Sequence, residues 1–410
     1  MTGGHGPDGP DRSWSAAATF GVLGTTAVIL PAFLTGAVAV QIREDLGLTE
    51  SAIGIAIGAF FVGSAAGSTS LGRAAERLGP ATALRLGLAV TVLADLAIAV
   101  LVEGIRSLAV ALIVAGLANA LVQPAINLLV VRSVAASRLG LVMALKQSGM
   151  PAAALFGGLA VPAIALTIGW RAAYLGGAGL AVASTLLLGR VTTDPVVTIG
   201  PGPGPTVRSA GPSSPRPDQD RAVLAVMAGV GVLGGGAANI VVGYLVSGAV
   251  DAGIPPGPAG LVLTGGSALG IGSRLLHGWL ADRGGIDPLS RVVVLLGAGL
   301  VGAVVLASHQ PLAYVLATPV VFAGGWAWPG LFNLVVVRAN RSAPAAATGV
   351  TQTGVYVGSV IGPIIAGSLV EASGYRAAWL LTAVSLGGAS LATLAVRAQL
   401  AGVERPPVPG

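Results

Sequence analysis

LVMALKQSGMPAAALFGG, running from Leu141 to Gly158, is the stretch on which the reading of the chain turns. It contains Lys146, the only lysine among 410 residues, inside an apolar run long enough to cross a membrane. A charge at that depth costs a few kcal/mol, so such a residue usually faces a protein interior or a watery cavity. The plainer alternative is a lysine about two helical turns inside the membrane whose stem snorkels back to the surface.

The rest of the sequence has the same apolar character. Hydrophobic residues make up 54% and charged residues 9%, against roughly 25% charge in a soluble domain. Mean hydropathy is +0.86. Apolar runs of membrane-crossing length fall at 15–41, 52–72, 81–102, 108–131, 139–168 and 170–190, then at 222–250, 258–281, 292–310, 311–337, 347–370 and 376–397. The fold class expected is an all-α membrane protein of twelve spans embedded in a lipid bilayer. The 63 glycines suit close helix packing there.

Several function classes drop out. The net charge is +6, yet the arginines are scattered singly without stacking aromatics, so no nucleic acid is expected as partner. Cysteine is absent, and His5, His277 and His309 form no ligand spacing, so neither metal nor cofactor is expected. There is no nucleophile–base pair and no phosphate-cradling loop, which argues against an enzyme or an ATP-driven pump. The polar start, with Asp8 and Asp11, is unlike a signal peptide.

Residues 1–14 read as a tail, 15–190 as a six-span half, 191–220 as a linker, 221–397 as a second half and 398–410 as a second tail. The linker holds seven prolines among glycine and serine, from Pro195 to Pro217, and cannot bury apolar surface. With both termini in the cytoplasm, only Arg43, Arg106, Arg171 and Arg376 fall in loops on the outside, as positive-inside orientation requires. A plasma-membrane location and a monomer are expected.

The halves repeat each other. Gly72, Glu76, Arg77 and Gly79 recur 206 residues later as Gly278, Asp282, Arg283 and Gly285. Asn127 and Arg132 recur as Asn333 and Arg338. Gln147 and Gly149 match Gln352 and Gly354, and WRAAYL at Trp170 matches YRAAWL at Tyr375. Six spans per half leave the two copies parallel, an architecture associated with alternating access.

On these residues the chain resembles the major facilitator superfamily over nearly its whole length. The family's loop between helices 2 and 3 reads G-x-x-x-D-R-x-G followed by basic residues. Here it is GRAAERLG from Gly72, with Glu76 for Asp and Pro80 where a basic residue is usual. The second copy, GWLADRGG from Gly278, keeps Asp282 and Arg283. The resemblance implies a fold of two six-helix repeats around a central cavity. It also implies a cytoplasmic latch made by Gly72, Glu76, Arg77, Asp282 and Arg283. GSVIGPIIAG from Gly358 resembles the glycine–proline motif of the family's drug/proton antiporters, but lies in the eleventh span and reads better as packing.

Asp95, Lys146 and Arg274 are the ionisable side chains well inside spans, histidine apart. Lys146 and Arg274 each lie about seven residues from the cytoplasmic end of their spans, roughly 10 Å deep. In the family, helices 5 and 8 face each other across the cavity, so the two cations would make an anion site. RLLHGWLADR from Arg274 further resembles organic-anion and monocarboxylate members, whose arginine meets substrate. Gln147, Gln123 and Asn239 are further candidates for cargo contact, with Trp326 and Trp328 as an aromatic wall. His277 and Asp95 are candidates for proton coupling.

The function expected is a proton-coupled symporter of a small organic anion. A drug/proton antiporter is the competing expectation, weakened by the lack of an acid in the first span. A non-transporting sensor is a third, without a soluble domain to carry its signal.

Overall fold

The computed structural model describes residues 9–134, 136–192, 219–283, 286–340 and 342–403. The two chain ends and most of the proline-rich linker therefore lie outside the described residues. Those described form helices, with no strand among them.

Among them, twelve helices are long and apolar enough to cross a membrane. They are α1 (Trp14–Ala37), α2 (Glu50–Leu78), α3 (Pro80–Leu101), α4 (Ile105–Ser133), α5 (Leu141–Ala165) and α6 (Trp170–Gly189), then α7 (Arg221–Asp251), α8 (Pro256–Ala281), α9 (Pro288–Leu306), α10 (Pro311–Ala339), α11 (Ala346–Ser373) and α12 (Tyr375–Leu400). Proline opens α3, α8, α9 and α10, where its missing N–H is no loss. The repeat is visible in the turns. Gly169 (φ 98°) and Gly374 (φ 79°) stand before the matched segments WRAAYL and YRAAWL, in a conformation that favours glycine.

Three spans differ from the runs read in the sequence. The first stops at Ala37, and the chain turns into a short helix, Ala39–Leu46, carrying Arg43, Glu44 and Asp45. Three adjacent charges do not belong in hydrocarbon. α5 is broken into Ala136–Gln147, Gly149–Ala160 and a π-helical turn, Val161–Ala165. α10 is likewise broken into Pro311–Val320, a π-helical turn at Val321–Gly325 and Pro329–Ala339. Pro151, Pro162, Pro319 and Pro329 lie in these pieces, and each lacks the amide that would continue the hydrogen-bond ladder.

The apolar core comes in three parts. One is shared by both halves and includes Phe33, Ile57 and Tyr174 with Val242, Tyr314 and Trp379. A second draws only on the first half, from Ala17 to Leu188. A third draws only on the second half, from Leu224 to Val396. The halves are therefore joined at one end, here called the cap, and separated at the other, the base, where α1 begins and α12 ends.

Glycines let the cap close. A methyl group on Gly36 would lie 2.7 Å from the Cα of Gly243, and one on Gly158 would lie 2.5 Å from the Gly260 carbonyl oxygen. Backbone meets backbone along these seams, so a side chain there acts as a wedge. Gly158→Val should hold the cap open. With Ser247→Cys as reporter in this cysteine-free chain, a water-soluble thiol reagent should label the Gly158→Val protein much faster than its parent.

Candidate functional site

The breaks in α5 and α10 meet at Arg274 of α8. Pro151 has no N–H, so the carbonyl of Gln147, four residues earlier, lacks its helical donor. Arg274 of α8 supplies one, with Nη1 donating at 3.1 Å. Its Nε and Nη2 donate to the Trp326 carbonyl in the α10 break, at 2.9 and 2.7 Å. The guanidinium also lies 5.5 Å from the centre of the Trp326 ring. One side chain thus ties a carbonyl of the first half to a carbonyl of the second.

Lys146 precedes that carbonyl in sequence, but its side chain takes another direction. It is 4% exposed and does not snorkel to the surface. Nζ donates to Asn127 Oδ1 on α4 at 3.0 Å, and its stem packs at Gly21 of α1, where a methyl group would lie 3.3 Å from its Cβ. Gln123 donates to Asn119 Oδ1 (3.3 Å), and Asn119 to Ser64 Oγ (3.1 Å), so this face of α4 carries a polar ladder.

The remaining candidates separate. Asn239 bridges α7 to α11, its Nδ2 donating to Ser359 Oγ (2.9 Å) and the Gly235 carbonyl (3.0 Å). That is a packing role for its amide nitrogen. Trp326 stands with Phe33 of α1 (centroids 5.8 Å apart) and Phe322 (5.2 Å). Trp328 instead packs against Gly234 and Phe332 within the second half. Tyr356, not singled out in the sequence, is half-buried on the face of α11 away from exposed Val357, Ile361 and Ile365. Its signal was its place one turn beyond Gln352.

The sequence matches the family described as Major Facilitator Superfamily over residues 16–341, and again over 224–409. The chain belongs to that superfamily. It is a multi-pass membrane transporter, and the second match falls on the second copy of its repeat. No curated protein matches it in sequence. Among solved structures it is similar to a bacterial homologue of the human lysosomal transporter Spinster in an inward-facing, unoccupied conformation. That likeness has a TM-score of 0.76 at 12% identity, covering 98% of this chain and 100% of the other. It is also similar to a D-xylose–proton symporter, with a TM-score of 0.72 at 14% identity, covering 94% and 97%. At such identities the likeness concerns the fold.

The superfamily's signature loops sit at the base. Gly72 is half-buried, while Glu76 and Arg77 are exposed and make no hydrogen bond or ion pair among the described residues. Arg283 stacks on Trp279 at 3.6 Å; the side chain of Asp282 lies outside the described residues. Among the described residues, Glu76, Arg77 and Arg283 make no contact between the halves, and separate cores lie on either side of the base. His277 is half-buried, with Arg291 of α9 as its charged neighbour. Asp95 is fully buried between α3 and α6.

The polar closure lies at the cap, and the sequence reading missed it. Glu50, the first residue of α2, is 5% exposed and bonded by Arg43 and by the Tyr375 hydroxyl of α12. Tyr244 of α7 donates to the Pro363 carbonyl (2.9 Å) and reaches the Glu50 carbonyl (3.2 Å). Arg43, Glu50 and Tyr375 line a pocket of about 470 Å³ with Asp251 and Glu371. His309 joins Asp251 and Tyr314, and its ring stacks on Tyr375. Nearby, Arg171 and then Trp170 hold the Asp45 carboxyl below its usual range. Glu50 offered one sequence signal, an acid at the very start of an apolar run.

Arg274 should behave as a strut whose need depends on Pro151. An unsatisfied buried carbonyl costs about 1–3 kcal/mol, so Arg274→Gln should lower the melting temperature. Pro151→Ala restores an amide four residues after Gln147, so the loss should be smaller in that background. A double-mutant cycle of thermal unfolding checks this; additive effects would separate the two residues.

Proposed function

We propose that the protein is a secondary transporter that moves a small organic anion across the cell membrane by alternating access, coupled to protons. The observation that carries this reading is the pair Lys146 and Arg274. Both lie deep within spans, and neither has a carboxylate partner among the described residues. The partner of Lys146 is a neutral amide and those of Arg274 are carbonyls. Uncompensated cations in a poorly solvated cleft favour an anionic ligand. A guanidinium has five N–H bonds, and three are taken, so two remain for a carboxylate. Phe33 and Trp326 beside it suit a compact apolar body attached to that carboxylate.

The arginine bias supports a cytoplasmic base, with both termini inside and the cleft open inward. The halves 15–190 and 221–397, joined by the linker 191–220, are then the bodies that rock. A carboxylate on Arg274 competes with the Gln147 carbonyl for the same fork, which links cargo to a bond between the halves. The run from Arg274 supports the organic-anion and monocarboxylate branch. Gln147 and Gln123 flank the site, a monomer suffices, and Glu76, Arg77, Asp282 and Arg283 would latch the base when it closes.

Thermal-shift screening of the purified protein against lactate, pyruvate, benzoate and inorganic anions tests the cargo class, because a ligand selective for the folded state raises apparent stability. Lys146→Gln should abolish uptake of any stabilising carboxylate into proteoliposomes while the protein still reaches the membrane. Uptake at the wild-type rate would remove the reading. The aromatic pair at the apex also suits amphipathic drugs, and raised tolerance to several unrelated compounds on expression would favour a drug/proton antiporter instead.

A further inference from the structure

Asp95 is an acid that the anion site leaves unused. It lies six residues before the end of α3, roughly 9 Å below the cap end of that helix. Its exposure is 0%, and neither carboxylate oxygen has a hydrogen-bond partner. No hydrogen-bonding partner for it stands among the described residues. Room for the carboxyl is made by Gly177 of α6, where a methyl group would lie 2.9 Å from Oδ2.

The surroundings bring no compensating charge. α1, α2, α4 and α6 pack against α3, and none of them places a cation or a second carboxylate beside Asp95. The titratable group they do bring is Tyr174 of α6, one turn before Gly177. Its hydroxyl makes a 2.8 Å hydrogen bond with Thr35 Oγ1 of α1, and Thr35 in turn donates to the Pro31 carbonyl (2.8 Å). Thr35 adjoins Gly36, which faces Gly243 across the cap seam. An ionised carboxylate without a partner in such a place costs several kcal/mol, whereas the neutral acid costs far less.

We propose that Asp95 holds a proton in this conformation and is the group through which a proton gradient drives the carrier. This rests on the transport reading above and selects Asp95 over His277, whose neighbour Arg291 is a permanent cation. When the cap parts, water enters beside Gly36 and reaches the hydroxyl pair. A proton from the outer solution then adds to the carboxylate and gives the carboxylic acid. Closing the cap occludes it, as in this conformation, and the same proton leaves toward the base once the α3–α6 contact at Gly177 loosens, with no other bond made or broken.

Two measurements on protein in liposomes test this. Infrared difference spectra between acid and alkaline buffer should show the carbonyl stretch of a protonated buried carboxyl, and Asp95→Asn should lose it. Identical spectra for the two proteins overturn the proposal, whatever the cargo proves to be. With lactate as probe, Asp95→Asn should keep exchange at equal pH and lose uptake driven by a pH gradient. Gradient-driven uptake that survives in Asp95→Asn also overturns it. If lactate is not carried, the anion reading loses that substrate and the infrared result alone decides. Should Asp95→Asn fail to fold, Gly177→Ala serves instead. It crowds Oδ2 without removing it, and should move the pH at which the infrared band appears; an unmoved band counts against the site.

Discussion

Hydrocarbon offers a backbone carbonyl no partner, and this constraint organises the centre of the molecule. Prolines interrupt α5 and α10 near the middle of the bundle, and the interruption at Pro151 strands the Gln147 carbonyl. Arg274 fills that gap and the matching one at Trp326. The same guanidinium is thus a structural donor and, under the function proposed above, the cation that would meet a ligand. These roles are not rivals, since a group that holds two halves together by replaceable bonds is one that cargo can release.

The cap rests on a different balance. Lipid is as apolar as leucine, so no hydrophobic effect drives the halves together within the bilayer. What remains is close packing and directional bonding. Glycine seams supply the first, and Glu50, Tyr375 and Tyr244 supply the second. Among the described residues the base shows neither in this conformation, with separate cores on either side and exposed Glu76 and Arg77.

Much of the fold was legible because each span must carry about 20 apolar residues, whatever its partners. Duplicated signatures such as GRAAERLG and GWLADRGG gave the two halves. The first run was read to residue 41, a turn past the observed end at Ala37, and the breaks inside α5 and α10 went unseen because proline leaves the apolar pattern continuous. The depth of Lys146 and Arg274 was equally legible, since isolated charges stand out in such a sequence. Their partners were not. Asn127 is a neutral residue among many, and backbone carbonyls leave no trace in side-chain patterns, although a proline four residues after Gln147 does mark a stranded one. Glu50 and Tyr375 lie 325 positions apart and meet only through the packing of the halves. Asn239, expected at the cargo site, gives its amide nitrogen to Ser359 and to the Gly235 carbonyl, a pairing between spans that its own sequence neighbours do not announce.

The seam between Gly36 and Gly243 has a further consequence. Side chains can repack by small rotamer changes, whereas two bare backbones fit in one register or not at all. Closure built this way is abrupt, with little room for half-shut arrangements. Under the alternating access proposed above, so abrupt a passage between sealed and parted forms would leave small ions and water scarcely any moment at which to slip through unaccompanied.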